Sequence, residues 1–103
     1  MNLKGVFFSK KELLKYTTPE DIFSYYLGSP VDMNARYLSP FRADNSPGCR
    51  FAYKQGYLKF IDNVPSNNGR IYYNCFDFAQ AITNDVNIAQ RIHKDMKLGN
   101  KPM

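Results

Sequence analysis

The apolar positions of this chain keep a helical spacing near each end and alternate strictly in the middle. Ser9-Lys10-Lys11-Glu12 is a capping box: the Ser hydroxyl can accept from the third helical N–H, and the Glu carboxylate from the Ser N–H. It predicts a short helix with Leu13 and Leu14 turned inward. Thr18-Pro19-Glu20-Asp21 is a second start signal, with a Thr cap, Pro at the first helical position and acids in the first turn. Ile22, Phe23, Tyr26 and Leu27 then share one face, and Gly28 suits the left-handed residue that ends a helix. Residues 31–38 predict an extended stretch. Residues 39–48 predict a polar turn region, because Pro40 and Pro47 fit neither a helix interior nor a central strand.

The clearest pattern lies in the middle of the chain. Two runs, 49–53 and 57–61, flank Lys54-Gln55-Gly56. A two-residue turn at Gln55-Gly56 pairs Lys54 with Tyr57, Tyr53 with Leu58, Ala52 with Lys59, Phe51 with Phe60 and Arg50 with Ile61. Directly paired residues share a face. One face is then Phe51, Tyr53, Leu58 and Phe60, expected in the core. The other is Arg50, Ala52, Lys54, Tyr57, Lys59 and Ile61. A slip of one residue would bury the charges, so this register excludes its neighbours. Residues 62–70 predict a polar loop with a turn at Asn67-Asn68-Gly69, and 71–73 a further short strand. Asn74 can cap a helix with Asp77 three residues on and Phe78, Ala81 and Ile82 as its apolar face. A last helix begins near 85–87, with Ile88, Ala89, Ile92 and Met96 along one side and Lys94 and Lys97 at its negative end. The predicted fold class is α+β: a small antiparallel β-sheet flanked by N- and C-terminal helices, in one domain over residues 1–103.

Composition refines this picture. Aromatic residues, all Phe and Tyr, are 16% of the 103 residues, and charged residues 22%, which suits a folded domain. The formal charge is +5. Residues 1–35 are balanced, 36–75 carry a net +4 and 76–103 a net +1, so the excess belongs to the middle of the chain. A basic segment favours an anionic partner such as nucleic acid, while on an exposed sheet face the same lysines can simply keep it soluble. Two cysteines, Cys49 and Cys75, are too few for a disulfide scaffold and read as buried thiols in a reducing cytoplasm. No apolar run has the length of a membrane span, and Val6-Phe7-Phe8 is too short for a signal-peptide core. The expectation is a cytoplasmic protein without a membrane partner.

Catalytic patterns are missing. The single histidine, His93, lies on the last predicted helix. There is no Gly-x-Ser-x-Gly elbow and no Gly-Lys-Thr/Ser phosphate loop. Cys49 and Cys75 each lack the close second ligand that a zinc site uses. Asp62 and Asp77 stand in unlike contexts. The expectation is a binding domain and not an enzyme, with no catalytic residue, no metal and no cofactor.

Ser39-Pro40-Phe41-Arg42-Ala43-Asp44-Asn45-Ser46-Pro47 resembles the Cys-Pro-Phe-His…Thr-Pro-Ser-Phe opening of the zinc ribbon at the N-terminus of bacterial and phage DNA primases. The segments downstream of it are similar in order: Arg50-Phe51, then Tyr57-Leu58-Lys59-Phe60, then Tyr73-Asn74-Cys75-Phe76-Asp77-Phe78 entering a helix. The likeness runs from about residue 18 to residue 97. Three of the four ligand positions depart from the family: Ser39 replaces the first Cys, Arg42 replaces the His, and only Cys75 remains of the last pair. The resemblance therefore implies a degenerate, metal-free ribbon of the kind associated with phage and mobile-element primases. In it, the Arg42 guanidinium could take the metal's place, paired with Asp44 or Asp62.

That family's ribbon binds the single-stranded DNA template, while polymerisation belongs to a separate acidic domain that this chain does not resemble. The implied function is a single-stranded DNA-binding module that assists priming in replication. A primase catalytic domain or a replicative helicase would be the associated protein. Arg50, Lys54 and Lys59 would meet phosphates, Tyr57 would stack a base, and Arg42 and Asn45 would touch the template from the Pro-flanked turn. The alternative is a protein-interaction module or inhibitor that docks on a replication protein.

Overall fold

The computed structural model describes residues 9–41, 47–64 and 69–99. In chain order the elements are α1 (Lys10–Leu13), α2 (Pro19–Leu27), β1 (Arg50–Lys54), β2 (Tyr57–Val64), β3 (Gly69–Tyr73), α3 (Cys75–Thr83) and α4 (Ile88–Asp95). The fold class is α+β, as the patterning predicts. The three strands form one antiparallel sheet in the order β1-β2-β3.

The caps are those the sequence announces. Glu12 N–H donates to Ser9 Oγ at 3.0 Å and Ser9 N–H to Glu12 Oε1 at 3.2 Å, completing the box at α1. Asp21 N–H donates to Thr18 Oγ1 at 3.1 Å, and Gly28 ends α2 at φ 84. Asn74 and Asp77 form a second capping box at α3. Each cap satisfies backbone donors that a helix start leaves without partners.

The β1–β2 register is the predicted one, from Arg50 opposite Ile61 to Lys54 opposite Tyr57. Gln55 and Gly56 have φ of 54 and 83, the two positive values a two-residue type I′ turn requires. β3 joins β2 with Phe60 opposite Tyr73, Ile61 opposite Tyr72 and Asn63 opposite Arg70.

Four fully buried rings form the centre, one from each surrounding element: Phe23 of α2, Phe51 of β1, Phe60 of β2 and Phe78 of α3. Their centroids close a ring of contacts: 5.0 Å for 23–51, 5.1 Å for 51–60, 5.0 Å for 60–78 and 5.2 Å for 78–23. Tyr37 and Phe41 pack edge-on against Phe51 and Phe78. Leu13, Ile22, Ile88, Ala89 and Ile92 carry the core out to α1 and α4. At roughly 1.5–3 kcal/mol for each large side chain buried, the rings alone favour folding by several kcal/mol.

Several expectations fail for local reasons. Tyr53 shares the inner face with Phe51 but is 54% exposed, because it lies beside the turn, where the sheet ends. Its hydroxyl instead donates to Glu20 Oε2 at 2.7 Å. Ile61 belongs by register to the outer face yet is fully buried, since it lies on the middle strand between Arg50 and Tyr72. Leu14 caps a four-residue helix and is exposed, leaving Leu13 alone in the core. Cys75, Phe76, Phe78 and Ala79 form the buried face of α3. Ala81 is turned off that face, and Ile82, in the last turn, lies past the core cluster and is exposed. Residues 31–38 form no strand: they hold a turn at 33–34, where Asn34 N–H donates to Asp32 Oδ1, and only Tyr37 bridges to Cys49. The predicted loop over 62–70 is shorter, because β2 continues to Val64 and β3 starts at Gly69.

Candidate nucleic-acid interface

Alternation along three paired strands sorts the outward face. β1 contributes Arg50, Ala52 and Lys54; β2 contributes Tyr57, Lys59, Ile61 and Asn63; β3 contributes Arg70 and Tyr72. Four of these side chains are cations and none is an acid. Among the described residues, no helix intervenes in the chain between β1 and β3.

The predicted site residues meet as expected in four cases. Arg50, Lys54, Tyr57 and Lys59 share this face. Tyr57 is 70% exposed, held out by the turn beside it. Lys54 is exposed, whereas Arg50 and Lys59 are half-buried. Arg42 and Asn45, together with Asp44, fall outside the described residues.

The structure adds two residues. Arg70 and Tyr72 enter the face through β3, and both are exposed. Lys54 Nζ lies 6.0 Å from the centroid of the Tyr72 ring, a cation–π contact across the sheet. The Tyr72 phenol is lowered from its ordinary pKa, first by hydrogen bonding from Arg70 and then by the charges of Lys54, Arg70 and Arg50. These cations gather near Tyr72 on β3, an edge strand of the sheet, and favour an anion there. The sequence pattern misses this pair because it places Arg70 in a loop. The signal available is the alternation Arg70-Ile71-Tyr72-Tyr73, in which Arg70 and Tyr72 fall on one side.

A second polar feature lies at the far end of β2. Asp62, offered by the sequence as a partner for Arg42, is buried. Ser39 Oγ donates to its Oδ2 at 2.9 Å, and Cys49 Sγ to its Oδ1 at 3.3 Å. Phe41 N–H donates in turn to Ser39 Oγ at 3.2 Å. These bonds tie the 39–41 segment to the sheet and satisfy a carboxylate that would be costly to bury alone. Cys75 is buried at the start of α3, and burial pushes its thiol up to about 12, away from the thiolate that binds metal or attacks electrophiles. Among the described residues, no three His, Cys, Asp or Glu side chains come together. None of the described helices is long and apolar enough to cross a membrane.

The arrangement can therefore hold a polyanion by charge and present rings to planar groups. Comparison with family models, with curated proteins and with solved structures returned no match to this chain.

Proposed function

We propose that this chain binds single-stranded nucleic acid, in the first place single-stranded DNA, across the outward face of its sheet. The observation that carries the reading is the company of Arg50, Lys54, Lys59 and Arg70 with Tyr57 and Tyr72 on one acid-free face. Cations spaced along strands attract a phosphate backbone, and exposed tyrosines stack bases of any sequence. The spacing along β2 from Tyr57 to Asn63 gives room for several nucleotides at about 3.3 Å per residue.

The resemblance of residues 39–78 to primase zinc ribbons supports a role as a template-binding, non-catalytic module in priming, with the metal dispensed with. The bonded set Ser39, Asp62 and Cys49 is compatible with that reading, because it ties the Ser-Pro-Phe turn to the sheet by hydrogen bonds. The test is a fluorescence anisotropy titration of a labelled oligonucleotide at two salt concentrations. Binding that weakens steeply with salt supports the reading. No binding at low salt favours the protein-interaction alternative.

A further inference from the structure

The two edges of the sheet are finished differently. On the β1 side, Cys49 exchanges both main-chain hydrogen bonds with Tyr37, at 2.8 and 2.9 Å, so a stretch of chain lies against that edge. On the other side, β3 is the last strand. Its central residues, Arg70, Ile71 and Tyr72, are all exposed, Ile71 by 44% and Tyr72 by 43%. An edge strand that carries exposed apolar side chains is a ready template for another strand.

The register decides which main-chain groups face outward. In a two-residue type I′ hairpin the pair closing the turn, Lys54 and Tyr57, exchanges both hydrogen bonds, and bonded pairs alternate from there. Tyr57, Lys59 and Ile61 therefore bond to β1, while Phe60, Asp62 and Val64 bond to β3. Their partners on β3 are Tyr73, Ile71 and Gly69. The N–H and C=O of Arg70 and Tyr72 point the other way, off the edge of the sheet. Among the described residues, neither makes a main-chain hydrogen bond outside the sheet.

We propose that this edge pairs with the same edge of a second copy of the chain, antiparallel about a two-fold axis at Ile71, joining two three-stranded sheets into one. The strand is complementary to itself in that register. Arg70 of each copy falls opposite Tyr72 of the other, and these are the residues whose main-chain groups face the seam. On the outward face the pairing sets a guanidinium beside an aromatic ring, a cation–π pair. On the inner face Ile71 meets Ile71, and each covers apolar surface that is exposed in the single chain. This axis pairs all five residues of the strand. Moving it to Arg70 would set the strand's one charge against itself, and a slip of one residue would oppose Arg70 to Ile71, whose main-chain groups point inward.

The inference stands apart from the nucleic-acid reading, because the pairing needs no bound strand. It brings the cations of both copies onto one face, so their repulsion opposes pairing and salt relieves it. That dependence has the opposite sign to phosphate binding, which salt weakens.

The experiment is sedimentation velocity of the parent, without nucleic acid, over a range of protein concentrations and at two salt concentrations. The proposal expects a monomer–dimer equilibrium that added salt shifts towards the dimer. Ile71→Lys opposes two ammonium groups at the axis and should raise the dissociation constant at least about tenfold, with the parent's melting curve kept because the position is exposed. Ile71→Cys should join two chains by a disulfide under a mild oxidant, since opposed residues of a non-bonded pair bring their Cβ atoms to about 4.5–5.5 Å. Ile82→Cys, exposed on α3, should not. A parent that stays monomeric up to millimolar concentration overturns the proposal. So does a dimer that a folded Ile71→Lys leaves intact, or one in which Ile71→Cys cross-links no better than Ile82→Cys.

Discussion

Replacing Phe60 with Ala removes the ring through which the sheet meets α3 and the rest of the aromatic core. Phe60 is fully buried and its centroid lies 5.1 Å from Phe51 and 5.0 Å from Phe78, with Tyr37, Phe41 and Tyr73 further out. A Phe-to-Ala change in a core costs about 3–5 kcal/mol through lost transfer energy and the cavity left behind. Two close ring pairs, each contributing about 0.5–1.5 kcal/mol beyond burial, place Phe60→Ala at the upper end of that range. A chain of this length has a total stability of about 5–15 kcal/mol, so the variant is close to unfolded or well below the parent. Tyr53→Ala is the control. It lies on the same strand face but is half-exposed and loses mainly one hydrogen bond, for about 0.5–1.5 kcal/mol. Urea unfolding followed by circular dichroism measures both. Equal losses for Phe60→Ala and Tyr53→Ala, or a loss below about 1 kcal/mol for Phe60→Ala, would refute the four-ring core.

Elemental analysis of the purified protein should find no stoichiometric zinc, and a chelator should leave the melting temperature unchanged, since a structural zinc would contribute directly to folding. Neither thiol should react quickly with a thiol reagent at pH 8 in the native state, because both cysteines are buried and the Cys75 thiol is pushed up to about 12; denaturant should release two per chain. Tyr72 should be the first of the tyrosines with a displaced pKa to ionise on raising the pH, ahead of Tyr26 and Tyr53, whose phenols are shifted upward. Its folded pKa lies below the unfolded one, so its ionisation favours the fold: that contribution is present above the unfolded pKa and lost as pH falls through the folded one. Added salt should move Tyr72 back towards its ordinary value, observable by NMR of labelled tyrosine rings.

The local chemistry of this chain is legible in its sequence. Ser9, Thr18 and Asn74 announce helix starts because a cap needs only residues a few positions apart. The hairpin register is legible because rings and charges alternate on both strands and only one pairing separates them. Non-local consequences are not. Ile61 reads as surface until β3 flanks it. Asp62 reads as loop because its donors, Ser39 and Cys49, are 23 and 13 positions away. Tyr53 obeys the alternation but stands where the sheet stops, and no periodicity marks that edge. Arg70 and Tyr72 alternate locally onto one side, but they complete the basic face only through the β2–β3 pairing, whose register no local pattern fixes.

The most direct test of nucleic-acid binding is the salt dependence of single-stranded DNA affinity in the parent and in a double charge reversal. Lys54→Glu with Lys59→Glu is the choice the sequence suggests; because Lys59 is half-buried, Lys54→Glu with Arg70→Glu, both exposed, disturbs the fold less. If Arg50, Lys54, Lys59 and Arg70 each meet one phosphate, the log–log salt slope of the parent is about −2.8, at about 0.7 per contact on a single strand. The double variant should keep the parent's melting curve, lose at least about 1.4 of that slope and bind only weakly at low salt. An unchanged affinity and slope in a folded double variant would contradict the assignment of this face.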